Sequence, residues 1–229
     1  MSKRRCVIIG SSPETDIDII RKHLREGDFI ACADGGYVYA EQLGIKPDMI
    51  IGDFDSSERP DTDICRIIEL PVRKDDTDTV YTVRECLRLG FEEFLLFGMT
   101  GGRIDHTYAN LCVLADLAKK QVRASLIDKE NTIEVIYSGS RIIENRNGCG
   151  FAVFPFGCES CNVSLEGFEY NLQAGTLTAD FPLGVSNTIR SDKAKITVHN
   201  GMAVTMCNVQ CAMCNDDVGE FVHIVNQNP

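Results

Sequence analysis

The sequence contains no tryptophan, so any aromatic platform for a ligand has to be built from Tyr or Phe. It has no run near the roughly 18 apolar residues that a membrane helix needs. Met1–Ser12 joins a basic start to only the short apolar run Cys6–Ile9, which is too little for a secretory signal. These absences point to a soluble, cytoplasmic protein with no membrane association. Positive charge is scarce as well, with 23 Lys and Arg against 34 Asp and Glu and a net charge of −11. The clustered cations that a nucleic-acid backbone requires are missing. There is no Gly-x-x-x-x-Gly-Lys-Ser/Thr loop, no Gly-x-Ser-x-Gly elbow and no His-Glu-x-x-His helix. P-loop nucleotide binding, serine-elbow hydrolysis and zinc-dependent proteolysis are thereby set aside. No internal repeat or low-complexity segment is present.

What remains is a chain of 229 residues, 44% hydrophobic, with eleven cysteines. That is enough for one large domain or two small ones. Many cysteines without a secretion signal indicate a reducing compartment rather than a disulfide scaffold. Cys158-x-x-Cys161 and Cys211-x-x-Cys214 have the local spacing of zinc ligands. The stretch between the pairs is longer than zinc fingers use, and Cys158–Val163 alternates like a half-buried strand, so free buried thiols are expected.

The chain changes period near Ser138. Before it, the strand patterns Cys6–Ile9, Phe29–Ala33, Met49–Ile51, Ile67–Leu70, Glu93–Phe97, Arg123–Ile127 and Thr132–Tyr137 alternate with the helical patterns Asp16–Arg25, Tyr37–Leu43, Thr79–Leu89 and His106–Lys119. This order predicts an α/β domain over 1–138, doubly wound, with a mainly parallel sheet covered by helices on both faces. After it, Gly148–Phe154, Ser160–Leu165, Thr176–Thr178, Lys195–His199 and Ala203–Cys207 are short extended runs broken by Gly, Asn and Pro. They predict an all-β sandwich over 139–229.

In an open α/β sheet the loops at the carboxyl ends of the strands hold the ligand, and those loops carry the unusual residues. Gly10-Ser11-Ser12-Pro13 and Ala33-Asp34-Gly35-Gly36 are glycine turns that let backbone N–H groups approach phosphates, although glycine serves bare turn geometry equally well. Gly52-Asp53-Phe54-Asp55-Ser56 follows the third strand. If the chain stays extended there, Asp53 and Asp55 project to one side with Phe54 in the core. Two such carboxylates repel unless a proton or a divalent ion lies between them, and Mg²⁺ suits an all-oxygen set completed by phosphate. Lys74-Asp75-Asp76-Thr77-Asp78 follows the next strand, with Thr77 placed to cap a helix. Between Asp53 and Asp78 there are nine acids and four bases, gathered at adjacent strand ends. Thr100-Gly101-Gly102-Arg103-Ile104-Asp105-His106 adds another glycine turn, an arginine able to clamp phosphate oxygens, and a histidine that serves as general base or merely lines the cleft.

These segments, together with Pro47-Asp48 and, far downstream, Phe181-Pro182-Leu183-Gly184-Val185-Ser186-Asn187, resemble the motifs of the thiamine pyrophosphokinase family. The resemblance covers essentially the whole chain. It implies an N-terminal ATP- and Mg-binding catalytic domain and a C-terminal domain for thiamine binding and dimerisation, in a homodimer with thiamine sites at the subunit interface. It also implies transfer of the pyrophosphoryl group of ATP to the thiamine hydroxyl, releasing AMP. By the same resemblance Asp53, Asp55 and Asp78 are Mg²⁺ ligands, and Asp34 is an acid beside the substrates. Gly35, Gly36, Lys74, Asp75, Thr77, Thr100, Gly101, Gly102, Arg103, Asp105 and His106 fall in the nucleotide motifs, while Ser186 and Asn187 meet thiamine. Tyr170 and Phe181 are candidates for the ring that stacks on it. The rival readings are a pyrophosphokinase for another hydroxymethyl acceptor, such as a pterin, and a nucleotide- or thiamine-binding module without turnover.

Overall fold

The structure, a computed structural model, describes residues 4–55, 60 and 65–208. Ser56, Cys211 and Cys214 lie outside the described residues. The chain divides into two compact units, Met1–Lys129 and Glu130–Pro229.

The first unit is a six-stranded sheet of β1 (Arg5–Ile9), β2 (Phe29–Ala33), β3 (Met49–Gly52), β4 (Arg66–Glu69), β5 (Glu93–Phe97) and β6 (Arg123–Ile127). Every pairing is parallel, in the order β6-β5-β1-β2-β3-β4. Near-continuous apolar runs are what a sheet buried on both faces requires. Val7 and Ile9 of β1 pack into one cluster with Ile20, Tyr37 and Ala40 of the helices α1 (Ile17–His23) and α2 (Tyr37–Leu43). Cys6 points the opposite way, its Sγ 3.4 Å from that of Cys86 on α3 (Asp78–Arg88). Helices thus cover both faces, with α4 (Ile104–Lys119) packed against β6. Local chemistry sets the helix ends. Asp16 caps α1 by accepting from the N–H groups of Asp18 and Ile19, Thr77 caps α3 by accepting from Val80 N–H, and Gly44 ends α2 at φ 70°.

The order places a topological switch point between β1 and β5. From β1 the chain winds outward through β2, β3 and β4, then returns to place β5 on the other side of β1. Loops diverge there and leave a crevice at the carboxyl ends of the strands, where open α/β sheets bind ligands.

The second unit is antiparallel throughout: β7 (Asn131–Glu144), β8 (Gly150–Pro155), β9 (Ser160–Glu166), β10 (Leu172–Thr178), β11 (Asn187–Thr188) and β12 (Lys193–Asn208). Its spine is the long β7–β12 ribbon. The first arm of β12 also pairs β9, and the second also pairs β8. Cys149, Phe151, Val163, Leu165, Ile189, Ile196 and Val198 belong to its core. Cys161 is buried in the same core, and burial first, then the neighbouring Cys158, pushes its thiol up to about 11, as free packed cysteines require.

Two expectations are corrected by this ribbon. The division falls before β7, whereas Ser138 lies inside that strand, and the two extended runs Lys195–His199 and Ala203–Cys207 are one strand. Ser138, at φ 41°, and Gly139 bend β7. The partner strand shifts register opposite them, between Val198 and Met202. Two strands kinking together read in sequence as two breaks, because a β-bulge uses the same residues as a turn. Among the described residues no helix is long and apolar enough to cross a membrane.

Candidate active site

The carboxyl ends of β3 and β4 bring Asp53, Lys74 and Asp78 together. Lys74 Nζ is hydrogen-bonded to Asp53 Oδ2 and lies 3.1 Å from Asp78 Oδ1. The Lys74 and Asp53 side chains are only 7% and 9% exposed and that of Asp78 is 21% exposed, so this is a nearly dry ammonium between two carboxylates. The Lys74 hydrogen bond holds the Asp53 carboxyl below its usual range. Burial works against the Lys74 charge, but its bonds to Asp53 and Asp78 outweigh that and raise its pKa. Burial dominates at Asp78 and raises it, with Lys74 opposing and the charges of Asp53 and Asp34 adding to the rise. Asp78 Oδ1 is buried without a well-directed hydrogen bond.

Asp53 and Asp55 do not share one side of an extended strand. β3 stops at Gly52, Phe54 turns back at φ 53° and packs against the core, and Asp55 is exposed. Asp53 Oδ1 accepts the Asp55 N–H at 3.2 Å, so the pair forms an Asx turn. Among the described residues no three His, Cys, Asp or Glu side chains are gathered closely enough to hold a metal by themselves. The fit to Mg²⁺ is that of an ion taking one or two carboxylates and completing its shell with phosphate and water. Asp53 and Asp78 offer oxygens around a position where a cation already sits, and Asp78 Oδ1 lacks a partner of good geometry.

Asp34 opens a single 3₁₀ turn, Asp34–Gly36, at the end of β2, at φ 51°. Ser11 Oγ–H donates to its Oδ2 at 3.4 Å. Gly36 is explained by packing, since a Cβ there would lie 2.0 Å from the Ile9 carbonyl oxygen. Gly35 is half-buried beside it, and Asp75 and Thr77 are exposed. Of the seven non-glycine residues with left-handed backbones among the described residues, three, Asp34, Phe54 and Ser186, fall in the motif segments.

On the far side of the switch point, the turn Gly98–Gly102 leads into α4. Arg103 Nη2 meets Asp105 Oδ2 at 2.5 Å, and Asp105 Oδ1 accepts the His106 N–H. All three residues are exposed. The Arg103 hydrogen bond keeps the Asp105 carboxyl low. Three further residues shape this turn, of which only Ser12 stands in a motif noted from sequence. Ser12 Oγ–H donates to Thr100 O, Glu14 accepts the Gly102 N–H, and buried Asn110 donates to Met99 O at 2.8 Å. The only sequence signal was the glycine–serine turn after β1, which ends one residue short of Glu14.

In the second unit, Asn187 is buried and its amide is committed to backbone. Its Oδ1 accepts from Tyr170 N–H (3.0 Å) and Thr188 N–H (2.8 Å), and its Nδ2 donates to Tyr170 O (2.8 Å). Ser186 is exposed at φ 61°. The Val153 N–H fastens this segment to β8 through Gly184 O at 3.0 Å. Tyr170, Phe181, Leu183 and Val185 are exposed large apolar side chains.

Residues 20–126 match the model of the thiamin pyrophosphokinase catalytic domain, and residues 140–203 match the thiamin pyrophosphokinase vitamin B1 binding domain. The chain is similar to the thiamine pyrophosphokinase of Bacillus subtilis, 27% identical over 206 residues that cover 86% of this chain and 95% of that one. It is also similar to thiamin pyrophosphokinase 1 of Caenorhabditis elegans, 26% identical over 159 residues, 64% of each chain. Two of the solved structures that share its fold are those of named thiamine pyrophosphokinases. That of the Bacillus subtilis thiamine pyrophosphokinase has a TM-score of 0.79 at 24% identity over 89% of this chain and 98% of that one. That of the Candida albicans thiamin pyrophosphokinase has a TM-score of 0.75 at 17% identity over 90% of each. With catalytic and vitamin-binding models matched in order along one chain, on a fold its solved members share, the protein belongs to the thiamin pyrophosphokinase family.

Proposed function

We propose that the chain transfers the pyrophosphoryl group of ATP to the hydroxyl of thiamine, giving thiamine diphosphate and AMP, with Mg²⁺ as the metal. The observation that carries this reading is the Asp53–Lys74–Asp78 cluster at the carboxyl ends of β3 and β4, in a chain that matches both domains of the family.

Asp53 and Asp78 would hold Mg²⁺, with Asp55 at the rim. When bound, the ion would neutralise phosphate oxygens and stabilise the charge that shifts towards the leaving AMP. The Lys74 ammonium, displaced from between the two acids by the ion, would add a positive charge for the phosphate oxygens. The Gly101–Gly102 turn and Arg103 position the nucleotide, and Asp34 lies on the acceptor side. Asp34 and Asp78 are the two carboxylates available to take the hydroxyl proton. Such a reaction asks the protein mainly for alignment and electrostatics. In the β unit, Ser186 and the exposed Tyr170 and Phe181 rings meet thiamine, while Asn187 fixes the segment that presents them. The apolar residues Leu183 and Val185 suit burial in a homodimer. The free cysteines among the described residues agree with a cytoplasmic setting.

The test is direct. Purified protein, ATP, Mg²⁺ and thiamine should yield AMP and thiamine diphosphate in equal amounts. AMP formed without thiamine would remove the acceptor, and ADP in place of AMP would remove pyrophosphoryl transfer.

A further inference from the structure

The loop after β1 and the turn after β5 are joined across the switch point by a short ladder of hydrogen bonds. Gly10 N–H donates to Phe97 O at 2.8 Å, Ser12 N–H to Gly98 O at 3.0 Å, and Ser12 Oγ–H to Thr100 O. The last rung differs in kind, because Gly102 N–H donates at 3.0 Å to Oε1 of the Glu14 carboxylate. The other acceptors are neutral carbonyls. This one sets a full negative charge on a backbone donor at the entrance to α4, where the helix dipole also favours an anion.

The turn is shaped to admit that carboxylate. A Cβ at Gly101 would lie 2.5 Å from both Cδ and Oε2 of Glu14, and Gly101 and Gly102 hold φ of +85° and +60°. The neighbouring donors are met in the same way, Arg103 and the His106 N–H by Asp105. Carboxylate oxygens of the chain itself therefore occupy the donors that a phosphate would use.

We infer that Glu14 is an intramolecular anion that competes with the phosphates of ATP for the turn after β5, and so sets the affinity of the nucleotide site. The inference rests on the reading of that turn as the nucleotide site. Glu14 is exposed, so its side chain leaves without disturbing the core. While seated, it reduces the fraction of molecules whose Gly102 N–H is open, and weakens by that fraction every ligand needing this donor. Thiamine, which carries no phosphate, is unaffected. Glu14 is a specificity-determining residue rather than a catalytic one.

Two variants separate this role from that of a tether that merely shapes the turn. Glu14→Gln keeps an acceptor of the same shape and removes the charge, whereas Glu14→Ala removes both. Titration calorimetry with ATP and Mg²⁺, and separately with inorganic pyrophosphate, should show both variants binding roughly three- to tenfold tighter, the scale of losing one exposed charge-assisted contact. The KM for ATP should fall in step while the KM for thiamine holds. By NMR, the Gly102 amide resonance of Glu14→Ala should differ from wild type without ligand and coincide with it once ATP is bound, because the carboxylate has then left. Unchanged affinity in Glu14→Gln, weaker binding in Glu14→Ala, or different Gly102 shifts in the two ATP complexes would each overturn the competition. If neither wild type nor variants bind ATP, the nucleotide reading of the turn falls, and the inference with it.

Discussion

Lys74 is the residue whose removal tests the charge arrangement most sharply. Lys74→Met keeps most of the aliphatic stem and deletes the ammonium, leaving Asp53 and Asp78 with no cation between them. Breaking a fully buried ion pair costs about 3–5 kcal/mol. Here the Asp78 side chain is 21% exposed, and water screens part of the repulsion, so a loss of about 2–3 kcal/mol at neutral pH is expected. For a chain of this size that is a fall of about 5–10 °C in the melting temperature, read at the transition of the α/β unit in EDTA. Adding Mg²⁺ should raise the melting temperature of the variant more than that of wild type, because the ion enters the variant without displacing the ammonium. Asp53→Asn combined with Lys74→Met should recover much of the loss, since one of the two facing charges is gone.

The pH dependence has a definite sign. In wild type the Asp53 carboxyl lies below its ordinary 3.8, so its contribution is complete above that value and is lost as pH falls through the lowered one. Asp78 lies above 3.8, so its ionised form costs stability, a cost absent below 3.8 and complete above the raised value. Lys74 lies above 10.5, and its contribution holds below 10.5 and is lost as pH rises through the raised value. In Lys74→Met the influence lowering Asp53 disappears, and both carboxyls shift upward. The deficit of the variant must therefore shrink on acidification, as the two acids take up protons. A variant as stable as wild type in EDTA at neutral pH, or a deficit constant from pH 7 to pH 4, would mean that Lys74 does not offset the repulsion between Asp53 and Asp78.

Asn187→Ala removes three hydrogen bonds to backbone and strands Tyr170 N–H and C=O. Urea unfolding should report a loss of about 2–3 kcal/mol, and the KM for thiamine should rise well beyond that for ATP. Glu85 is held at about 2 by its bonds to Arg88 first and Arg66 second. Its contribution is complete above its ordinary 4.5 and is lost as pH falls through about 2. Glu85→Gln should thus be less stable than wild type at pH 7, with the gap closing below pH 4.5 in a series of urea melts.

The parallel half of the molecule was legible because its strands are apolar on both sides. β2, β5 and β6 begin and end at the residues their composition indicates, and α2 stops at its glycine. The long ribbon of the β half was not, since Ser138-Gly139 and Asn200-Gly201 are turn-forming residues used here to bend continuous strands. At the site, residue types were readable and their partners were not. Asp53 and Asp55 read as a matched pair, and a single left-handed residue between them turned one onto the backbone of the other. The deeper obstacle is strand order. Lys74 reaches Asp53 because β4 lies beside β3, and Glu14 reaches Gly102 because β5 lies beside β1. Local pattern shows which residues stand at strand ends but not which ends are neighbours. The electrostatics of this site arise between neighbours, so the carboxylates could be named from sequence while the cation or donor that each one meets could not.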